Sequence, residues 1–204
     1  MVNELLEKFD NRLNHVNAND KFRFLHGVYK QLVPSARGKQ TNGEYRIELE
    51  KLSSGKKDWF ITNFASDLLD HGMVNHACKL LQEYNLTQTA QRLDYTLSEM
   101  DKIEYQVKQD SKIFVDWSGV HIDVGGYRRG NPFCASIILH DGSYGHQNGL
   151  FEIMPIFKGK SLDDAGFCTA NVIGWLSLKS AFALASATLS KNESSVRRTL
   201  REVY

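Results

Sequence analysis

His121, Asp123, His140, Asp141 and His146 are the side chains best equipped for bond chemistry in this 204-residue chain. Imidazoles and carboxylates together can ligate a metal ion or activate a water molecule. Their spacing fits no zinc motif, and the chain has no HExxH. On an extended strand His121 and Asp123 share a face. His140-Asp141 opens a loop, so these groups converge only where their strands are neighbours. The other reading is that they bond nearby backbone in turns. Asp70-His71 and His76-Ala77-Cys78 form no better pattern. There is no serine in a nucleophile elbow and no phosphate-cradling glycine loop followed by lysine. Gly125-Gly126 lacks the rest of a dinucleotide fingerprint. Cys78, Cys134 and Cys168 are odd in number, far apart and without a CxxC pair. They argue against a zinc knuckle or a disulfide framework, and for buried thiols in a reducing compartment. The residue types favour a non-enzymatic protein without a cofactor. A metal-dependent hydrolase built on His121, Asp123, His140 and His146 is the weaker alternative.

Residues suited to gripping a partner are easier to find. Tyr127-Arg128-Arg129-Gly130 places an arginine pair beside an aromatic ring in a turn, a combination able to hold phosphates or stack on bases. Further positive charge lies at Arg37/Lys39, Lys56/Lys57, Lys158/Lys160 and Arg197/Arg198/Arg201. The formal net charge is only +1, so any nucleic-acid surface must be local. The connection from His140 to Gly149 carries Gly142, Gly145, Gly149, Tyr144 and two histidines, more than a plain turn requires. Candidate binding residues are therefore Tyr127, Arg128, Arg129, Tyr144, His146, Gln147 and Asn148. A structural clasp is the competing use of the 140–149 loop.

The elements that must position these residues follow from hydrophobic period. Leu5, Leu6, Phe9, Leu13 and Val16 recur at helical spacing. Asp20 is the expected N-cap of a second helix, which Pro34 ends ahead of a polar, basic stretch to Gly43. Tyr45 to Glu50 alternates as a strand does, although Ile47, Leu49 and Leu52 also fit a short helix. Ser53 to Lys57 reads as a break. Amphipathic helices are expected over Trp59–Leu69 and Met73–Tyr84, divided by Asp70-His71-Gly72 with the glycine just past the helix end. From about Ser111 the period becomes two. Lys112–Trp117, Val120–Val124, Phe133–His140 and Leu150–Phe157 read as strands, and Leu176–Leu189 as a closing helix with Ser177 as its N-cap. The expected fold class is α+β: a helical N-terminal half over residues 1–108, then a small antiparallel sheet covered by a C-terminal helix over residues 109–204. The hydrophobic fraction of 42% and only three prolines suit a folded chain. The N-terminal residues lack the pattern of a signal peptide, and no run reaches the length of a membrane span, so a cytoplasmic protein without membrane contact is expected. A homodimer through the apolar N-terminal helix is a further expectation.

Two resemblances add to this reading. Leu80 to Tyr95 resembles the helix-turn-helix of bacterial transcription factors, with Ala90 where two helices cross, Leu93 and Tyr95 in the core and Asp94 in the turn. Met100 and Ile103 would be the buried face of the second helix. The resemblance implies a DNA-binding regulator that uses Thr87, Gln88, Arg92, Ser98 and Lys102. However, Ser98 to Glu104 offers three carboxylates and one lysine, and DNA phosphates repel those acids. A protein partner is the other use. The segment Gly142-Ser143-Tyr144-Gly145-His146-Gln147-Asn148-Gly149-Leu150-Phe151-Glu152-Ile153, with Asp164 and Val172-Ile173-Gly174-Trp175-Leu176-Ser177 after it, resembles small bacteriophage and prophage proteins. These carry a GSYG…GL-[FY]-E stretch and a later V-x-G-[WY]-L-[ST] stretch that opens a helix. That resemblance implies an accessory protein of a phage or mobile element, bound to a host protein or ribonucleoprotein complex. One such target is a defence complex, in the manner of an anti-CRISPR inhibitor.

Overall fold

The computed structural model describes residues 2–33, 43–104 and 106–203. The expected helix stop at Pro34 and the basic residues Arg37 and Lys39 lie outside them. The chain divides into two compact units, Met1–Ala90 and Gln91–Tyr204, so the division falls earlier than the expected boundary near residue 108.

The first unit is helical, with α1 (Val2–His15), α2 (Ala18–Leu32), α3 (Glu44–Glu50), α4 (Ser54–Asp70) and α5 (Val74–Glu83). Phe9 of α1 is fully buried at its centre. Its ring meets Phe64 edge-on at 5.3 Å, Phe60 at 6.3 Å and Tyr45 at 6.1 Å. Leu5, Leu6 and Leu13 are buried with it, so the apolar face of α1 packs into this core. Asn17, not Asp20, caps α2: its side chain accepts the Asp20 amide at 3.1 Å, one turn earlier than expected. Tyr45 to Glu50 is helix α3, not a strand. Tyr45 and Leu49, four apart, are buried, whereas Ile47 between them is 46% exposed. Ser53 to Lys57 does not break the chain either. The Lys56 and Lys57 amides bond the Ser53 carbonyl in the first turn of α4. Gly72 follows α4 as expected, and Met73 donates back to Leu68 at 2.8 Å.

The division between the units falls within α6 (Thr87–Asp101). The second unit continues with β1 (Ser111–Asp116), β2 (Gly119–Val124), β3 (Phe133–His140), β4 (Phe151–Phe157), β5 (Lys160–Ser161), β6 (Ile173–Leu176), α7 (Leu178–Leu189) and α8 (Glu193–Val203). All strand pairs are antiparallel, in the order β1-β2-β3-β4-β5, with β6 also pairing with β4. Alternation puts Val120, Ile122 and Val124 of β2, Ala135, Ile137 and Leu139 of β3, and Phe151, Ile153 and Phe157 of β4 on one face, and all are buried. Helix α7 packs along β3 and β4 and buries Phe182, Ala181 and Ala185, its small residues allowing close approach. The fold is therefore α+β, a helical half followed by an antiparallel sheet under C-terminal helices. Three boundaries differ from the sequence expectation. Trp175 and Leu176 belong to β6, so α7 starts at Leu178, although Ser177 does cap it by accepting the Ser180 amide at 3.1 Å. Beyond the expected closing helix the chain forms α8, which buries Val196 and Leu200. The turn expected at Asp94 is absent, because α6 runs through it.

Candidate functional site

The connection from β3 to β4 and strand β6 are built against each other. After His140 the chain turns tightly: the Ser143 hydroxyl donates to the His140 carbonyl at 2.8 Å, and the Ser143 amide donates to the same oxygen at 3.0 Å. Leu150 closes the loop onto the Gly145 carbonyl at 3.1 Å, and the Glu152 carboxylate accepts the Tyr144 amide at 3.0 Å. The Trp175 amide then donates to the Tyr144 carbonyl at 3.4 Å. Two glycines make this approach feasible. A Cβ on Gly174 would fall 2.2 Å from the Tyr144 Cβ, and one on Gly145 would fall 2.8 Å from the Leu150 Cβ and 3.2 Å from the Trp175 Cα. The two segments of the phage-like stretch thus form one clasp. From α6, Tyr95 stacks near Phe151 and donates its hydroxyl to the Gly149 carbonyl at 3.1 Å.

The clasp is structural, and it also presents rings to solvent. Tyr144 is 58% exposed and Trp175 is 61% exposed. Trp175 adopts φ +60°, a left-handed conformation that an L side chain takes at a cost of about 1–2 kcal/mol. A third ring sits at the same end of the sheet. Asp116 accepts the Ser118 and Gly119 amides at 2.7 and 3.0 Å, and this shapes the β1–β2 hairpin so that Trp117 at its tip is 71% exposed. Gly119 pairs with His140, and Phe151 pairs with Leu176, so the hairpin tip, the clasp and the end of β6 share one end of the sheet.

The face of the sheet opposite α7 carries the second cluster. Phe114, His121, Asp123, Ser136 and Met154 lie side by side on four strands, as the pairs Phe114–His121, Asp123–Ser136 and Ser136–Met154 require. Asp123 is buried and accepts the Tyr127 and Arg128 amides at 2.6 and 3.0 Å, fixing the turn that carries both residues. Arg128 lies over the Phe114 ring, its guanidinium carbon 3.8 Å from the centroid, with one nitrogen 3.4 Å from His121 Nδ1. Arginine only donates, so Nδ1 accepts, and the neutral ring carries its proton on Nε2 and donates to Ser136 Oγ at 2.7 Å. Burial, then the charge of Arg128, pushes His121 down to about 4. This polarity is the reverse of a nucleophile-activating pair. In this tautomer the imidazole donates to Ser136 and does not accept its proton.

The comparisons add no relative. The chain matches no family model, no curated protein and no solved structure. The remaining sequence candidates are placed by geometry alone. His121 and Asp123 share a face as expected, but Asp123 is committed to backbone amides, and His146 Nδ1 bonds the Ser143 carbonyl within its own turn at 2.7 Å. Among the described residues no three His, Cys, Asp or Glu side chains gather in a way that could hold a metal ion. Gln147 and Asn148 are exposed on the clasp, and Arg129 is exposed beside Arg128.

Of the residues read for DNA, Thr87, Gln88 and Ser98 are exposed. Arg92 instead donates to the Ser118 carbonyl and to Asp141 at 2.7 Å, with its side chain only 16% exposed. Lys102 pairs with Glu99, and Tyr95 stands 39% exposed outside the core that the helix-turn-helix reading gave it. Sequence reasoning passed over Trp117 and Phe114. Phe114 alternates out of the core face of β1, and that period was the available signal, whereas Trp117 lies just past the strand at the hairpin tip. No helix among the described residues is long and apolar enough to cross a membrane.

Proposed function

We propose that this protein works by recognition, as a non-enzymatic accessory protein of a phage or mobile element that binds a host protein or ribonucleoprotein complex in the host cytoplasm. The observation that carries this reading is the set of exposed rings at one end of the sheet, Trp117, Tyr144 and Trp175. Tryptophan and tyrosine dominate interface hot spots, because each brings a large contact area with few rotatable bonds. Two of these rings are held by a backbone bond and close glycine contacts, so little conformational freedom remains to be lost on binding. The phage assignment rests on the resemblance of residues 142–177, whose two segments meet in the clasp.

The specific form of the proposal is inhibition of a host defence complex, in the manner of an anti-CRISPR protein. Cells carrying an RNA-guided nuclease are transformed with a plasmid it targets, with and without this protein. The expected result is recovery of transformants, lost in the double variant Tyr144→Ala/Trp175→Ala at equal protein level. Transformation that stays blocked across the defence systems of the host contradicts the inhibitor form.

A further inference from the structure

We propose that the open face of the sheet, centred on Arg128, Phe114 and Tyr127, is a platform for single-stranded nucleic acid. This proposal stands apart from the ring surface at the sheet end and does not depend on it. A guanidinium is a flat cation with two faces. One face of Arg128 rests on Phe114, and the residue is nevertheless exposed, so the outer face is open to a base. An unstacked base can lie on that plane as it would on an aromatic ring, extending a Phe–Arg stack by one layer. Its position is set three times over: by the Phe114 ring below, by His121 Nδ1 at its edge, and by Asp123 holding the backbone of the turn. Tyr127, half-buried beside it with its hydroxyl on the Met154 sulfur, widens the flat surface.

Charge points to an anionic strand. The exposed side chains of the turn beside this face are cationic, Arg128 over Phe114 and Arg129 next to it in the chain. The carboxylates of the face are turned back onto backbone amides: Asp116 onto Ser118 and Gly119, Asp123 onto Tyr127 and Arg128, and Glu152 onto Tyr144. A duplex hides its base faces and offers nothing to stack, so the platform selects unpaired strands.

The test is fluorescence anisotropy of the whole chain with end-labelled oligonucleotides of about 10 nucleotides, a length that fits one such platform. The probes are single-stranded RNA, single-stranded DNA of the same sequence, and duplex DNA, with a glutamate-rich peptide as competitor. The expected result is binding to single strands that weakens with salt, and a loss of about tenfold in Arg128→Ala. Arg128→Lys keeps the charge but not the plane, and is expected to stay weakened. Arg129→Ala, exposed in the same turn and not stacked, is expected to lose less. RNA and DNA binding equally assigns recognition to bases and phosphates, and tighter RNA binding adds the 2′-hydroxyl. No binding at low salt, equal affinity for duplex, equal displacement by the acidic peptide, or full affinity in a folded Arg128→Ala or Arg128→Lys would overturn the proposal.

Discussion

The Trp175 amide donates to the Tyr144 carbonyl at 3.4 Å, and Gly174 lies directly beneath the Tyr144 side chain. Two segments far apart in the chain are thereby locked together, and each leaves a large ring in solvent. This contact links the fold of the second unit to its proposed work, because the same glycines that permit packing also aim the rings.

Gly174→Ala is expected to destabilise the protein by about 1–3 kcal/mol, since its new Cβ would stand 2.2 Å from the Tyr144 Cβ and something must shift. Gly142→Ala, at φ +86° but with nothing within 4 Å, is expected to lose only about 1 kcal/mol from backbone strain. Urea unfolding of the two variants checks the order. Equal losses would mean that the clasp is not close-packed at Gly174.

Trp175→Gly removes a ring that is mostly exposed and relieves a positive φ, at the cost of a freer unfolded chain. These effects oppose one another, and stability is expected to stay within about 1 kcal/mol of the parent. A thermal melt reads this directly. A large loss would assign Trp175 to holding the fold.

His121 gives the protein a pH dependence with a defined sign. Its folded value of about 4 lies below the ordinary value near 6.5, so the unfolded chain binds the extra proton first. Stability from this group is fully present above about pH 6.5 and is lost as pH falls towards 4, by up to about 3 kcal/mol. His121→Gln does not titrate, and its denaturant midpoint is expected to fall less than that of the parent between neutral pH and pH 4.5. Parallel curves for the two proteins would contradict the assignment.

Arg92 is expected to behave as a structural residue. It ties α6 to the Ser118 carbonyl and to Asp141. Arg92→Met should lose about 1–2 kcal/mol of stability, while Lys102→Ala, paired only on the surface with Glu99, should change it by under about 0.5 kcal/mol. Duplex-DNA affinity that falls in both variants without a stability change would restore the regulator reading.

Cys134 is expected to resist alkylation in the folded protein. Burial pushes its thiol up to about 11, and Sγ donates to the Asn131 carbonyl at 2.9 Å. Peptide mass spectrometry after iodoacetamide treatment should find Cys134 modified only on unfolding. Rapid modification in the native protein would mean that β3 opens readily.

The second unit was largely legible from period. Runs such as Val120-His121-Ile122-Asp123-Val124 alternate cleanly, because the face carrying Val120, Ile122 and Val124 packs into the core while the other carries polar groups. Tyr45 to Glu50 alternates too, yet folds as helix: with helical neighbours and no strand among the described residues of its unit, burial of Tyr45 and Leu49 decided the matter. Helix α8 was missed because its apolar residues are few and widely spaced among arginines and serines. At the site, Tyr127, Arg128 and Tyr144 stood out as polar or aromatic turn residues. Trp175 read as part of the stretch that opens the closing helix, since hydrophobicity alone cannot say that a tryptophan in a strand at positive φ faces water. The partner of Arg128 on the sheet, Phe114, depended on a register between β1 and β2 that only the assembled sheet supplies.

The most direct test of recognition at the sheet end begins with affinity capture from host lysate and identification of a partner by mass spectrometry. That partner is then purified and titrated calorimetrically against the parent protein, Tyr144→Ala/Trp175→Ala and a Lys160→Ala control. The account predicts saturable binding by the parent and the control, and a loss of at least about tenfold in the double variant with its melting temperature unchanged. Undiminished affinity in that folded double variant would contradict it.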